Sequence, residues 1–151
     1  ALYDQLTDCK NRKALDWAYT EKLEKYFPLA VVMCDLNGLK EINDQKGHDA
    51  GDKFIVQAAQ TLKSVFGKRH VYRLGGDEFI AVLPNITHLA FQKLLETAKS
   101  QLGATASLGT TKSGTKDTDF ESLLKAADAE MYENKKQYYI VTGKDRRKHS
   151  L

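Results

Sequence analysis

Cysteine, proline and tryptophan are scarce in this sequence, at two, two and one residues among 151. The two cysteines, Cys9 and Cys34, show no metal-ligand spacing, and a reduced, cytoplasmic setting fits them. Cys34 lies in an apolar run, where a thiol behaves as a small buried hydrophobe. Long apolar runs are missing too. The longest, Leu29 to Cys34, is far too short to span a bilayer, so no membrane segment is expected. No signal-peptide pattern, internal repeat or low-complexity segment is present. Charge of one sign is not in excess: 23 Lys and Arg against 20 Asp and Glu leave +3, too weak to argue for a nucleic-acid partner. The basic residues Arg146-Arg147-Lys148 in the tail, 143–151, are a solvated run.

What is present suits one soluble-type core. Hydrophobic residues are 42% and charged residues 28% of the chain. A helix is expected over 11–26, ending before Pro28. The continuous run 29–34 reads as a central strand buried on both faces. A short helix over 38–46 and a loop over 47–51 follow. Residues 53–66 carry Phe54, Ile55, Ala58, Leu62, Val65 and Phe66 on one side, an amphipathic helix. Further on come a helix over 91–102, a strand over 104–110, a polar loop over 114–119, a long helix from Phe120 and a closing strand over 138–141. Helices on a mostly antiparallel sheet of about five strands make an α+β fold.

The chain is organised around Arg73-Leu74-Gly75-Gly76-Asp77-Glu78-Phe79. Apolar runs flank it, Val71-Tyr72 before and Phe79 to Leu83 after, so Gly75-Gly76 reads as the tight turn of a hairpin. Such glycines let a bulky anion approach the backbone, and Asp77 and Glu78 at the lip suit a phosphate-bound metal ion. Read alone, Asp35 is a strand-end acid, Asp52 a helix N-cap before Lys53, and Asn43 an ordinary loop residue.

Gly75 to Phe79 spells G-G-D-E-F, the signature of the GGDEF family of diguanylate cyclases. Asp4 to Asp8 with Asn11-Arg12 resembles the family's D-x-L-T-x-L-x-N-R. Asp35 to Asp44 resembles D-x-D-x-F-K-x-x-N-D. Gly47-His48 with Gly51-Asp52 resembles G-H-x-x-G-D, and Ala127-Asp128 with Met131-Tyr132 and Lys135 resembles A-D-x-A-M-Y-x-A-K. The motifs follow in family order from residue 4 to about 135.

The resemblance implies a sheet similar to the palm of nucleotidyl cyclases and a reaction that joins two GTP into cyclic di-GMP with release of pyrophosphate. It implies magnesium or manganese, two ions per GTP, held by Asp35, the Leu36 carbonyl, Asp77 and Glu78. Asp35, Asp77 and Glu78 are then the catalytic set. Asn43 and Asp52 would take guanine through its adjacent N–H donors, Gly38, Leu39 and Lys40 the phosphates, and Lys40 and Lys135 the triphosphate charge, with Gly75 and Gly76 lining the substrate. Arg73 is expected to give local support. One subunit carries residues for one GTP, so the resemblance also implies a transient homodimer with a second GGDEF domain. Residues 1–151 are expected to be a single domain of a longer, cytoplasmic-facing protein whose N-terminal sensor or dimerisation part is missing.

Three departures stand out. Asn37 and Leu39 replace the second aspartate and the phenylalanine of D-x-D-x-F. Gln137-Tyr138-Tyr139 stands where the family often has x-x-G-R/K, removing an expected phosphate cation. Phe66-Gly67-Lys68-Arg69 occupies the place of the product-inhibition motif R-x-x-D, so weak product feedback is expected. The second departure keeps an alternative open: a degenerate domain that binds GTP and regulates a partner.

Overall fold

A computed structural model describes residues 1–19, 23–113 and 119–143. Its elements are β1 (Lys10–Asn11), α1 (Arg12–Ala18), β2 (Leu29–Leu36), α2 (Leu39–Lys46), α3 (His48–Phe66), β3 (Val71–Gly75), β4 (Glu78–Leu83), α4 (His88–Leu102), β5 (Ala106–Ser113) and α5 (Phe120–Val141). The five strands form one sheet in the order β1-β3-β4-β2-β5. Among the described residues, the β1–β3 pair is parallel and the other three strand pairs are antiparallel.

β2 lies between β4 and β5 and has two inner faces. Ala30, Val32, Cys34 and Leu36 face one cluster with Ile55, Leu62 and Phe66 of α3 and Phe91 and Leu95 of α4. Leu29, Val31 and Met33 face another with Leu15 of α1 and Leu123, Ala127 and Met131 of α5. A strand covered on both sides needs no polar alternation, which is why its run is unbroken. Asp35, continuing the odd-numbered series, is directed to the α5 side. Among the described residues, no helix is long and apolar enough to cross a membrane.

Several expectations need correction. The helix from residue 11 stops at Ala18, and Leu23–Tyr26 is a separate 3-10 turn; residues 20–22 lie outside the described ones. No loop spans 47–51. Gly47, at φ 90°, ends α2 and starts α3 at once, since glycine adopts that φ without steric cost. Asp52 is therefore inside the second turn of α3 and is not its N-cap. The hairpin turn is shifted by one: Gly75 still pairs with Glu78, Gly76 and Asp77 form the turn, and the ladder is irregular between Arg73 and Gly75.

The closing strand over 138–141 is absent. Those residues are the last turns of α5, where each further residue adds a backbone hydrogen bond to an existing helix, outweighing a local β preference. The fifth strand is instead the two-residue β1, too short to show a period. Of the polar loop, 114–118 lie outside the described residues, and Asp119 caps α5 by accepting from Ser122 N at 2.7 Å.

Candidate active site

The end of β2 meets the tip of the hairpin. Asp35 pairs with Glu78 across β2 and β4, and Leu36 N donates to the Asp77 carbonyl at 2.9 Å. Directly paired residues of antiparallel strands project to the same face, so the side chains of Asp35 and Glu78 share one side of the sheet. Asp77, in the turn, lies beside them. Glu78 is exposed and Asp77 half-buried.

α5 brings a cation to this corner. Lys135 Nζ stands 2.9 Å from Asp35 Oδ1 and donates to the Leu36 carbonyl at 3.0 Å. The contact with Oδ1 is not aligned as a hydrogen bond, and this buried oxygen has no hydrogen-bond partner among the described residues. The Asp35 carboxyl titrates well above its ordinary value of 3.8, at about 6. Burial is the main cause; the Lys135 ammonium opposes it, and the neighbouring Asp77 carboxylate adds to it.

This raises a testable pH dependence of the metal-free protein. The folded state holds the Asp35 proton more tightly than the unfolded chain, so the group contributes stability when protonated. That contribution is lost as pH rises from about 4 to about 6. Asp35→Asn removes the titration. The wild-type melting temperature minus that of Asp35→Asn should fall across this window and level off above it. The opposite slope would show that attraction to Lys135 exceeds the cost of burial and the repulsion from Asp77.

The residues fit a hard divalent cation. A buried carboxylate oxygen that already attracts a cation, a second carboxylate and a backbone carbonyl are oxygen donors of the kind magnesium takes. Among the described residues no three His, Cys, Asp or Glu side chains gather as a metal-ion cluster, so any cation here draws on a backbone oxygen as well as acids.

α2 starts two residues after the buried Asn37. Gly38 takes φ 83° as the N-cap, and among the described residues no side chain caps the helix, leaving the N–H groups of Gly38, Leu39 and Lys40 at its start available to an anion. Asn43, on α2, lies against α3 at Gly51. A methyl group at Gly51 would collide with Asn43 Oδ1, so glycine there makes room for the amide. Asp52 follows Gly51 and is exposed, as is Lys40. Gly75 and Gly76, at φ 144° and 49°, are exposed at the hairpin tip.

Arg73 gives the local support expected of it. Its guanidinium donates to both Asp4 oxygens at 3.1 and 3.0 Å and to the Gly76 carbonyl at 3.2 and 2.9 Å. Asp4 also accepts from Thr7 N and Thr7 Oγ1 at 2.9 and 2.7 Å. The D-x-L-T stretch is thus the clamp that fixes the hairpin tip. Burial alone would raise the Asp4 carboxyl, but the Thr7 and Arg73 hydrogen bonds outweigh it and hold it below the ordinary value.

Asn37 has a role that sequence reading missed. Its Nδ2 donates to the Ala104 carbonyl at 3.1 Å, its Oδ1 accepts from Ser107 Oγ at 3.0 Å, and its backbone N donates to the Thr105 carbonyl at 2.8 Å. It pins the β2–α2 turn to the start of β5. An aspartate would set an acceptor against the Ala104 carbonyl, so the amide suits this chain. No sequence signal marks it, because the partners lie about 70 residues away. A groove of about 560 Å³ between the C-terminal half of α5 and the start of β5 reaches Asn37, but Asp35, Asp77, Asn43 and Asp52 do not line it.

Comparison with known proteins agrees with this architecture. The family model described as "Diguanylate cyclase, GGDEF domain" matches residues 1–139. The diguanylate cyclase DgcP of Escherichia coli is 34% identical over 88% of this chain and 44% of its own length. The cyclic di-GMP phosphodiesterase NbdA of Pseudomonas aeruginosa is 32% identical over 89% of this chain and 19% of its own length. The chain thus spans less than half of these curated relatives. The crystal structure of a sensory box/GGDEF family protein from Caulobacter crescentus superposes with a TM-score of 0.77 at 30% identity, covering 91% of this chain and 99% of that one. With a family model matching nearly its whole length, and with Asp35, Asp77 and the glycine hairpin meeting at one corner of the fold, the chain belongs to the GGDEF domain family.

Proposed function

We propose that this domain is a diguanylate cyclase, condensing two GTP into cyclic di-GMP and two pyrophosphates between two facing copies. The observation that carries the reading is the convergence of Asp35 and the Leu36 carbonyl on a point where a cationic group, the Lys135 ammonium, already rests, with Asp77 beside Asp35. Asp35, Asp77 and the Leu36 carbonyl would hold magnesium or manganese, with Glu78 beside them on the same face. When bound, such ions supply Lewis-acid charge at the attacking hydroxyl and the triphosphate. The N–H groups of Gly38, Leu39 and Lys40 receive the phosphates. Asn43 and Asp52 accept from the guanine N–H edge, an edge adenine lacks. Glu78 orients the 3′-hydroxyl that attacks the α-phosphate of the other GTP, displacing pyrophosphate.

Each copy supplies one such set, and the product has two equal halves, which supports an isologous pair. The N-terminal region of a longer protein would hold the pair together, raising the effective concentration to about millimolar. Incubating concentrated domain with GTP and magnesium should give cyclic di-GMP by mass spectrometry, at a rate per subunit that rises with protein concentration. A concentration-independent rate per subunit in a proven monomer would overturn the facing-pair mechanism.

A second reading has its own support. Tyr138 and Tyr139 stand where a glycine and a cation are usual, and one relative at 32% identity carries a phosphodiesterase name. GTP bound without product, even in a domain fused to a dimerising coiled coil, would favour a regulatory GTP-binding module.

A further inference from the structure

We propose that Lys135 is a resident counter-cation of the metal site, exchanged for the metal when nucleotide arrives. This rests on the reading that Asp35 and Leu36 hold the metal.

The ammonium lies within 3.0 Å of both oxygens concerned, Asp35 Oδ1 at 2.9 Å and the Leu36 carbonyl at 3.0 Å. The pair is well shielded, with the Lys135 and Asp35 side chains 19% and 14% exposed. A divalent ion and an ammonium cannot share these oxygens without strong like-charge repulsion in such a setting. The metal must therefore expel the lysine. The reverse holds too: while Lys135 stays, it offsets part of the Asp35 charge and occupies the oxygens that the metal needs.

An expelled ammonium needs a new partner. The Tyr139 ring on the same helix already lies 5.8 Å from Nζ while the ammonium holds Asp35, so it is part of the resident state and not a new partner. That contact is weak at a partly exposed site, whereas a polyanion is a far better acceptor. The triphosphate therefore draws Lys135 away while the metal takes its oxygens. Metal and nucleotide then bind with positive coupling, and by linkage each strengthens the other equally. Tyr139, where a second cation is usual in the family, serves as a holding surface for the first in its resident state.

The test is manganese binding, followed by the electron paramagnetic resonance of free Mn²⁺ at pH 8. In wild-type protein without nucleotide, Mn²⁺ should bind weakly. Lys135→Met should tighten it by about tenfold, the scale of one partly screened charge contact. Lys135→Gln keeps a donor for the Leu36 carbonyl and should tighten it in the same direction. In wild-type protein, 3′-deoxy-GTP, which lacks the attacking hydroxyl, should tighten Mn²⁺ more than it does in Lys135→Met.

The wild-type protein alone provides a second readout that needs no variant to fold. Lys135 acetylation by acetic anhydride, measured by mass spectrometry, should quicken when Mn²⁺ saturates the site. Equal Mn²⁺ affinity in wild type and the folded Lys135 variants, or acetylation indifferent to Mn²⁺, would overturn the exchange. Asp35→Asn separates the two readings. If it binds Mn²⁺ as wild type does, the metal assignment itself is wrong.

Discussion

Asp77→Ala should cut cyclic di-GMP synthesis by about a thousandfold or more, the scale of removing a preorganised electrostatic group from a reacting site. The fold should survive. Asp77 sits in the two-residue turn between Gly75 and Glu78, and its hydrogen bond with Leu36 of β2 is through its backbone carbonyl, which alanine keeps, while its side chain only repels Asp35. The change in unfolding free energy should stay within about 0.5 kcal/mol, as for surface substitutions that break no packing. Initial rate by product chromatography and thermal unfolding by circular dichroism measure the two halves of this expectation. A well-folded variant with activity within a few-fold of wild type would remove Asp77 from the metal site.

Gly109→Ala should do the opposite, harming the fold first. Gly109 lies in β5, paired with Met33 of β2, where α5 crosses the sheet. A Cβ there would strike the Ala127 carbonyl and the Met131 backbone, with Met131 Cα at 2.7 Å. These are main-chain atoms of a helix and cannot rotate aside. α5 would have to lift from β5 and β2, uncovering Leu123, Ala127 and Met131. Overpacking of this kind costs about 3 kcal/mol. For a chain of this size, that lowers the melting temperature by about 10 °C. Activity should fall as well, because the same helix carries Lys135 to Asp35. A melting temperature within about two degrees of wild type would mean that α5 has slack not visible in its contact with Gly109.

The contrast with Gly51 shows why such glycines are not equivalent. A methyl group at Gly51 meets the end of the Asn43 side chain, which can swing away. The clash there falls on a candidate binding group and not on the frame.

Much of this protein was determined by local sequence. The buried central strand follows from an apolar run with no polar alternation, and α3 and α4 follow from apolar stripes at helical spacing. The hairpin follows from glycines between two apolar runs, and the motifs around it placed the candidate residues in the right family. These signals are local because periodicity reports which face of one element is buried.

Tertiary structure decided the rest. A two-residue strand such as β1 has no period, and only its pairing with Tyr72 and Arg73 reveals it. Tyr138 to Val141 have strand-like residues, but as the end of a docked helix they extend it. The positive φ of Gly47 moved the start of α3 forward and took Asp52 out of the capping position. The link from Lys135 to the Leu36 carbonyl joins residues 99 apart, and the one from Asn37 to Ser107 joins residues 70 apart. No spacing in the chain encodes such contacts. They exist because β2 is central, with α5 laid across one face and β5 along its edge, and that arrangement alone brings an ammonium to the carboxylate at the strand's end.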